Sequence, residues 1–165
     1  DRVEYSLWAK EGHIITCPGG TVDYDWVAPF LLRDLLEGGV HEIAFDRWNM
    51  RFLVASLRRC GATDKEIERF TEFGQGFASM SPALRILDTL LLNGRIAHGD
   101  HPVLNMCARN AVVKSDPAGN RKLVKLADKR RIDGMVALAM ASSIAGDPRT
   151  DATSYAATTG EFLIL

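Results

Sequence analysis

Hydrophobic and polar positions along this chain alternate between helical and strand-like spacing from one end to the other. Residues 2–10 read as a short helix stopped by Gly12, followed by a short strand from His13 to Thr16 and a turn at Pro18-Gly19-Gly20. Asp23 or Asp25 can cap the next helix, because a short carboxylate accepts from its orphan N–H groups. In that helix Val27, Phe30, Leu31 and Leu35 recur at helical spacing, and Gly38-Gly39 ends it. Residues 40–45 predict a strand. A helix of roughly 48–60 follows, with Phe52, Leu53 and Leu57 inward. Residues 67–73 are ambiguous but strand-like. Ser81-Pro82 predicts the opening of a helix through Leu92 that buries Leu84, Leu87 and Leu91. A helical piece at 102–108 leads to strands at 110–115 and 121–126, joined by the turn formers Asp116-Pro117-Ala118-Gly119-Asn120. An apolar helix over 134–145 is the last predicted element, and the Thr/Ala/Ser-rich residues beyond it lack a helical period. This order predicts an α/β fold, a sheet with helices on both faces. It divides the chain into a domain over 1–146 and a tail over 147–165.

Composition adds limits. At 165 residues and 47% hydrophobic, the chain can bury one substantial core. No run of about 18 apolar residues predicts a membrane span, and no signal-peptide pattern opens the chain. Cys17, Cys60 and Cys107 form no CxxC pair, which fits a reducing compartment better than a disulfide framework. The net charge of −1 hides a local imbalance. Residues 109–131 hold eight basic and two acidic side chains, whereas the segments before and after sum to −4 and −3. A stretch of +6 suits contact with a phosphate backbone; its plainer reading is a solvated basic hairpin.

The candidate chemistry begins with two carboxylates. Asp46 sits just past the strand Val40–Phe45, and Asp133 at the mouth of the last helix. A charge placed beside apolar elements needs a partner, since desolvating it is costly. Divalent cations with a preference for oxygen ligands are suitable partners; helix N-capping is the plainer alternative. His98 and His101 flank Asp100 in a polar loop, a spacing that also suits a metal. Lys125 and Lys129 precede Asp133 and can meet a phosphate as point charges.

At the level of phrases, the chain resembles the C-terminal nuclease domain of the large terminase subunit of tailed double-stranded DNA bacteriophages and prophages. The resemblance rests on Tyr5-x-x-Trp8-Ala9-x-x-Gly12, Thr16-x-Pro18-Gly19 with Asp23-Tyr24, and Phe45-Asp46-x-Trp48. It continues through Gly74-Gln75-Gly76, Ser79-x-Ser81-Pro82, His98-x-x-x-Pro102-Val103-Leu104 and Asn110. Gly119-Asn120 and Arg131-Ile132-Asp133-Gly134-x-x-Ala137-Leu138 complete it, while the tail after 146 lies outside it.

That resemblance implies an RNase H-like mixed sheet lacking its first strand or strands here, and an endonuclease that cuts concatemeric DNA with two Mg²⁺ or Mn²⁺ ions. It assigns Asp46 and Asp133 as catalytic, metal-binding residues, the second and third members of an acidic cluster. The first member, which the family carries on a strand before the Tyr-x-x-Trp phrase, has no counterpart, since neither Asp1 nor Asp23 sits in the matching context. The expected consequence is weak or no activity of this chain by itself. His98 and Asp100 are accessory candidates, of which only His98 falls on a matching phrase. Lys122, Lys125, Lys129, Arg130 and Arg131 are the expected DNA contacts. The resemblance further implies double-stranded DNA, an upstream ATPase domain, the small terminase subunit and the portal as partners, and the cytoplasm of an infected or lysogenic bacterial host as location. No GxxxxGK[ST] phosphate loop occurs in the chain itself. Two other readings predict different surfaces: a non-catalytic DNA-handling or portal-docking module, and an unrelated α/β enzyme with a closed apolar pocket for a small molecule.

Overall fold

The structure, a computed structural model, describes residues 3–47 and 50–146, with Asp34 and Leu35 in backbone only. Trp48, Asp1 and the tail 147–165 lie outside the described residues. Helices α1 (Tyr5–Lys10), α2 (Tyr24–Phe30), α3 (Met50–Arg59), α4 (Asp64–Ile67), α5 (Phe77–Leu92), α6 (Pro102–Asn110) and α7 (Asp133–Ala145) alternate with strands β1 (Ile43–Phe45), β2 (Phe70–Glu72), β3 (Ala111–Ser115) and β4 (Arg121–Lys125). The fold is therefore mixed α/β, as the patterning predicts. Its strands form two small sheets, a parallel β1–β2 pair and an antiparallel β3–β4 hairpin. The chain gathers into two compact units. One takes in residues 15–73, the other the described residues of 1–14 and 74–165.

In the unit of residues 15–73, Asp23 caps α2 by accepting from the Asp25 amide at 2.9 Å. Pro29 lacks an amide hydrogen, and the ladder after it passes into a π-helical turn over Leu31–Leu36, which the spacing does not predict. Thr63 and Glu66 close a capping box at the start of α4. The parallel register Ile43↔Phe70 to Phe45↔Glu72 needs a crossover, and α3 and α4 supply it. Ala28, Leu31 and Leu57 form the buried centre, with Ile43, Leu53, Ile67 and Phe70 packed against it. Phe52, expected inward, is 47% exposed. The buried stripe of α3 runs through Met50, Leu53 and Leu57, so Phe52 falls on its flank and stacks on Tyr24 instead.

In the other unit, α5 packs on α7 and β4, and α6 packs on α7. Met80, Ala83, Leu84, Leu87, Leu104, Cys107, Leu138, Ala139 and Met140 are buried there. Helix α5 opens at Phe77, four residues before the predicted Ser81-Pro82 start. Pro82 costs one intrahelical bond, which burial of Met80, Ala83 and Leu84 around it outweighs. Leu91, expected inward, is 49% exposed, because burial along α5 stops at Leu87 and the last turn faces solvent. The predicted strand His13–Thr16 does not form. The His13 amide donates to the Trp8 carbonyl and that of Gly12 to Ala9, a helix closure built on the positive φ of Gly12 that uses up the first donor a strand would need. Strands β3 and β4 pair from Ala111↔Lys125 to Ser115↔Arg121. In their turn, the Asp116 carboxylate accepts from the amides of Ala118 and Asn120 and from the Asn120 side chain. The three cysteines are free thiols, and no described helix is long and apolar enough to cross a membrane.

Candidate functional site

Asp46 follows the last residue of β1 and is half-buried, at the carboxyl end of a parallel strand, where ligand sites of open α/β sheets gather. The pair beneath it is braced at its edges. The Thr71 hydroxyl donates to the Glu42 carboxylate, and Arg47 faces Glu72 at 3.8 Å. The Arg69 guanidinium donates to the carbonyls of Leu36 and Val40, both at 3.2 Å, tying down the segment that leads into β1.

Asp133 is the first residue of α7, and the chain around it explains why its carboxylate is exposed. Ile132 before it is buried, at 6% exposure. Gly134 after it packs so closely on α6 that a Cβ there would meet Cys107 Sγ and Leu104 Cδ1, both at 3.4 Å. The Arg131 carbonyl, one residue before the helix cap, accepts from the buried Asn110 side chain at 3.1 Å. With residues 131, 132 and 134 all anchored inward, the Asp133 side chain is presented to solvent at a helix N-terminus, where negative charge is favoured.

The basic side chains divide by environment. Lys125, Lys129, Arg130 and Arg131 are exposed along the path from β4 to α7. Lys122 is half-buried, its ammonium 4.8 Å from the centre of the Phe77 ring, and Arg121 is paired with Asp88 at 2.8 Å. In the loop before α6, His98 is exposed. Asp100, at φ 53°, accepts from the Asn105 side chain at 2.6 Å, so its carboxylate already serves a local turn. His101 packs edge-on against His13, with ring centres 5.1 Å apart. Asp46 belongs to one compact unit, and Asp133, His98, Asp100 and the basic residues to the other. Among the described residues no three His, Cys, Asp or Glu side chains form a metal-holding group.

Two open cavities were not foreseen. One, of about 430 Å³, is lined by Trp8, Asn105, Met106, Arg109, Asn110 and Arg130 among others. Trp8 and Asn110 stood out in the sequence only as members of longer phrases. The other, of about 670 Å³, is lined by Tyr24, Asp25, Phe52, Ser56 and Arg59 among others. There, hydrogen bonds from Ser56 and Arg59 hold the Asp25 carboxyl below the usual carboxylate range.

Comparison with known proteins places this arrangement. A sequence model described as the terminase large subunit, endonuclease domain, matches residues 1–147. The large terminase subunit of Enterobacteria phage HK97 is 43% identical over 151 residues, which are 92% of this chain and 29% of that protein. The crystal structure of the HK97 large terminase matches at a TM-score of 0.77 and 44% identity, over 87% of this chain and 29% of that one. The chain thus spans under a third of the length of the relative it matches. Over nearly all of its own length, this chain belongs to the family of terminase large subunit endonuclease domains.

Proposed function

We propose that this domain cuts concatemeric double-stranded DNA during phage genome packaging, by metal-dependent phosphodiester hydrolysis on an RNase H-like scaffold. The observation that carries this reading is the placement of Asp46 and Asp133 at the carboxyl end of a parallel strand and the first residue of a helix, inside a chain matched to an endonuclease family over 1–147. Both groups are oxygen donors, the class that Mg²⁺ and Mn²⁺ take. Mg²⁺ in particular is bound through one or two carboxylates, completed by water and substrate phosphate oxygens, so the donor chemistry of either carboxylate fits such an ion. By the family resemblance, Asp46 and Asp133 are each assigned a metal-ligand role. When bound, such a metal would supply Lewis-acid stabilisation of charge on the phosphate oxygens.

The chain's own groups supply the rest. Lys125, Lys129, Arg130 and Arg131 lead the phosphate backbone toward Asp133, and they contact phosphates rather than base edges, so cutting is independent of sequence. We expect weak cleavage by this chain alone, because only two members of the implied acidic cluster, Asp46 and Asp133, have a counterpart in it, with an ATPase domain, the small subunit and the portal as partners in packaging. The second reading is a non-catalytic DNA-handling or portal-docking module. Plasmid cleavage in Mn²⁺ separates the two. We expect slow nicking and linearisation that Asp46→Asn and Asp133→Asn each abolish; cleavage that survives both substitutions would refute the assignment.

A further inference from the structure

We infer that Asn110 is a positioning residue for Asp133. The inference rests on the proposed metal-binding role of that carboxylate. Asn110 is the last residue of α6 and only 5% exposed. Its backbone carbonyl accepts from the Leu126 amide at 2.8 Å, closing the base of the β3–β4 hairpin, while its side-chain amide donates to the Arg131 carbonyl at 3.1 Å. One buried residue therefore joins the end of α6, the exit of β4 and the entry to α7.

The bond to Arg131 has a specific consequence. The first intrahelical acceptor of α7 is the Ile132 carbonyl, which takes the amides of Met135 and Val136, so the Arg131 carbonyl lies outside the helical ladder. Without Asn110 that carbonyl would lose its side-chain donor, and the peptide between residues 131 and 132 would be free to rotate. A rotation there swings the Asp133 Cα, and with it the direction of a short side chain that has few torsions to compensate. Ile132 is buried and Gly134 packs against α6, whereas the Asn110 bond acts on the carbonyl of that peptide itself.

Groups that orient metal ligands affect affinity by about 10–100-fold, and a tether acting through the backbone belongs near the lower end, about tenfold. The test is Mn²⁺ binding to the 165-residue chain, read from the free-Mn²⁺ electron paramagnetic resonance signal, with Asp133→Asn defining the component that depends on that carboxylate. Asn110→Leu, close in size but without a donor, is expected to weaken that component about tenfold. Ile132→Val, which loosens the same knot while keeping the tether, is expected to change it less than twofold. Should Asn110→Leu fail to fold, Asn110→Ser, whose hydroxyl is too short to reach the carbonyl, carries the same expectation. Equal weakening by Ile132→Val, or undiminished affinity in the Asn110 variant that folds, would overturn the inference. If Asp133→Asn itself leaves Mn²⁺ binding unchanged, the failure lies with the proposed metal site instead.

Discussion

Replacing Leu57 with alanine tests how Asp46 is supported. Leu57 is fully buried at the centre of the cluster against which Ile43 of β1 and Phe70 of β2 pack. A two-stranded pair is marginal in water by itself, so this packing is what holds the end of β1 in place. The substitution removes three buried carbons, a transfer loss of roughly 2.4 kcal/mol. Incomplete collapse around the space left behind adds up to about 2 kcal/mol, for a total of about 3–4 kcal/mol. At a urea dependence of about 2 kcal/mol/M, the unfolding midpoint falls by about 1.5–2 M. Circular dichroism of the full chain in urea measures this, with Leu92→Ala as the control. Leu92 is 87% exposed, so its removal should shift stability by less than about 0.5 kcal/mol. Hydrogen exchange locates the effect: the amides of Ile43 and Phe73, bonded to the carbonyls of Arg69 and Phe45, should exchange faster in Leu57→Ala. A loss below about 1 kcal/mol, or unchanged exchange at those amides, would refute the view that this cluster carries the β1–β2 pair.

Further outcomes concern charge. The Asn120 side chain, with the amides of Asn120 and Ala118, holds the Asp116 carboxyl below its ordinary range. A depressed folded value means that its stabilisation is present above the ordinary Asp value of about 3.9 and is lost as pH falls through the lowered folded value. Thermal melts across that acid range should therefore decline less steeply in Asp116→Asn than in the parent chain, and parallel curves would count against the turn. Lys125→Ala and Lys129→Ala should each reduce the salt slope of double-stranded DNA binding by about 1 in fluorescence anisotropy, as expected when one phosphate contact is lost. Lys122→Ala should leave that slope nearly unchanged, because its ammonium is already engaged by Phe77. Equal slopes for all three variants would contradict this division of the basic stretch.

Local signals in the sequence were reliable where one residue's chemistry decides the backbone. Asp23 or Asp25 as a cap, Gly12 as a helix stop and the Asp116–Asn120 turn all follow from side-chain bonding or φ freedom within a few residues, and the structure gives the cap to Asp23. The hairpin and the helix opening at Asp133 were legible for the same reason. The candidate carboxylates stood out because charge at the end of an apolar element is visible in one dimension. What sequence spacing did not reveal depends on neighbours distant in the chain. Phe52 and Leu91 share helical spacing with core residues, yet burial depends on which flank or turn another element covers. Pro82 lies within α5 because the apolar contacts around it outweigh one lost bond, a balance invisible before packing is known. Asn110 is the clearest case. Its side-chain bond spans 21 residues to a backbone carbonyl, and no property of either segment announces it. Sequence alone thus determined which residues carry charge to the ends of strands and helices. Tertiary structure decided how those ends are held, because a carbonyl's donor and a side chain's cover come from whatever the fold brings alongside.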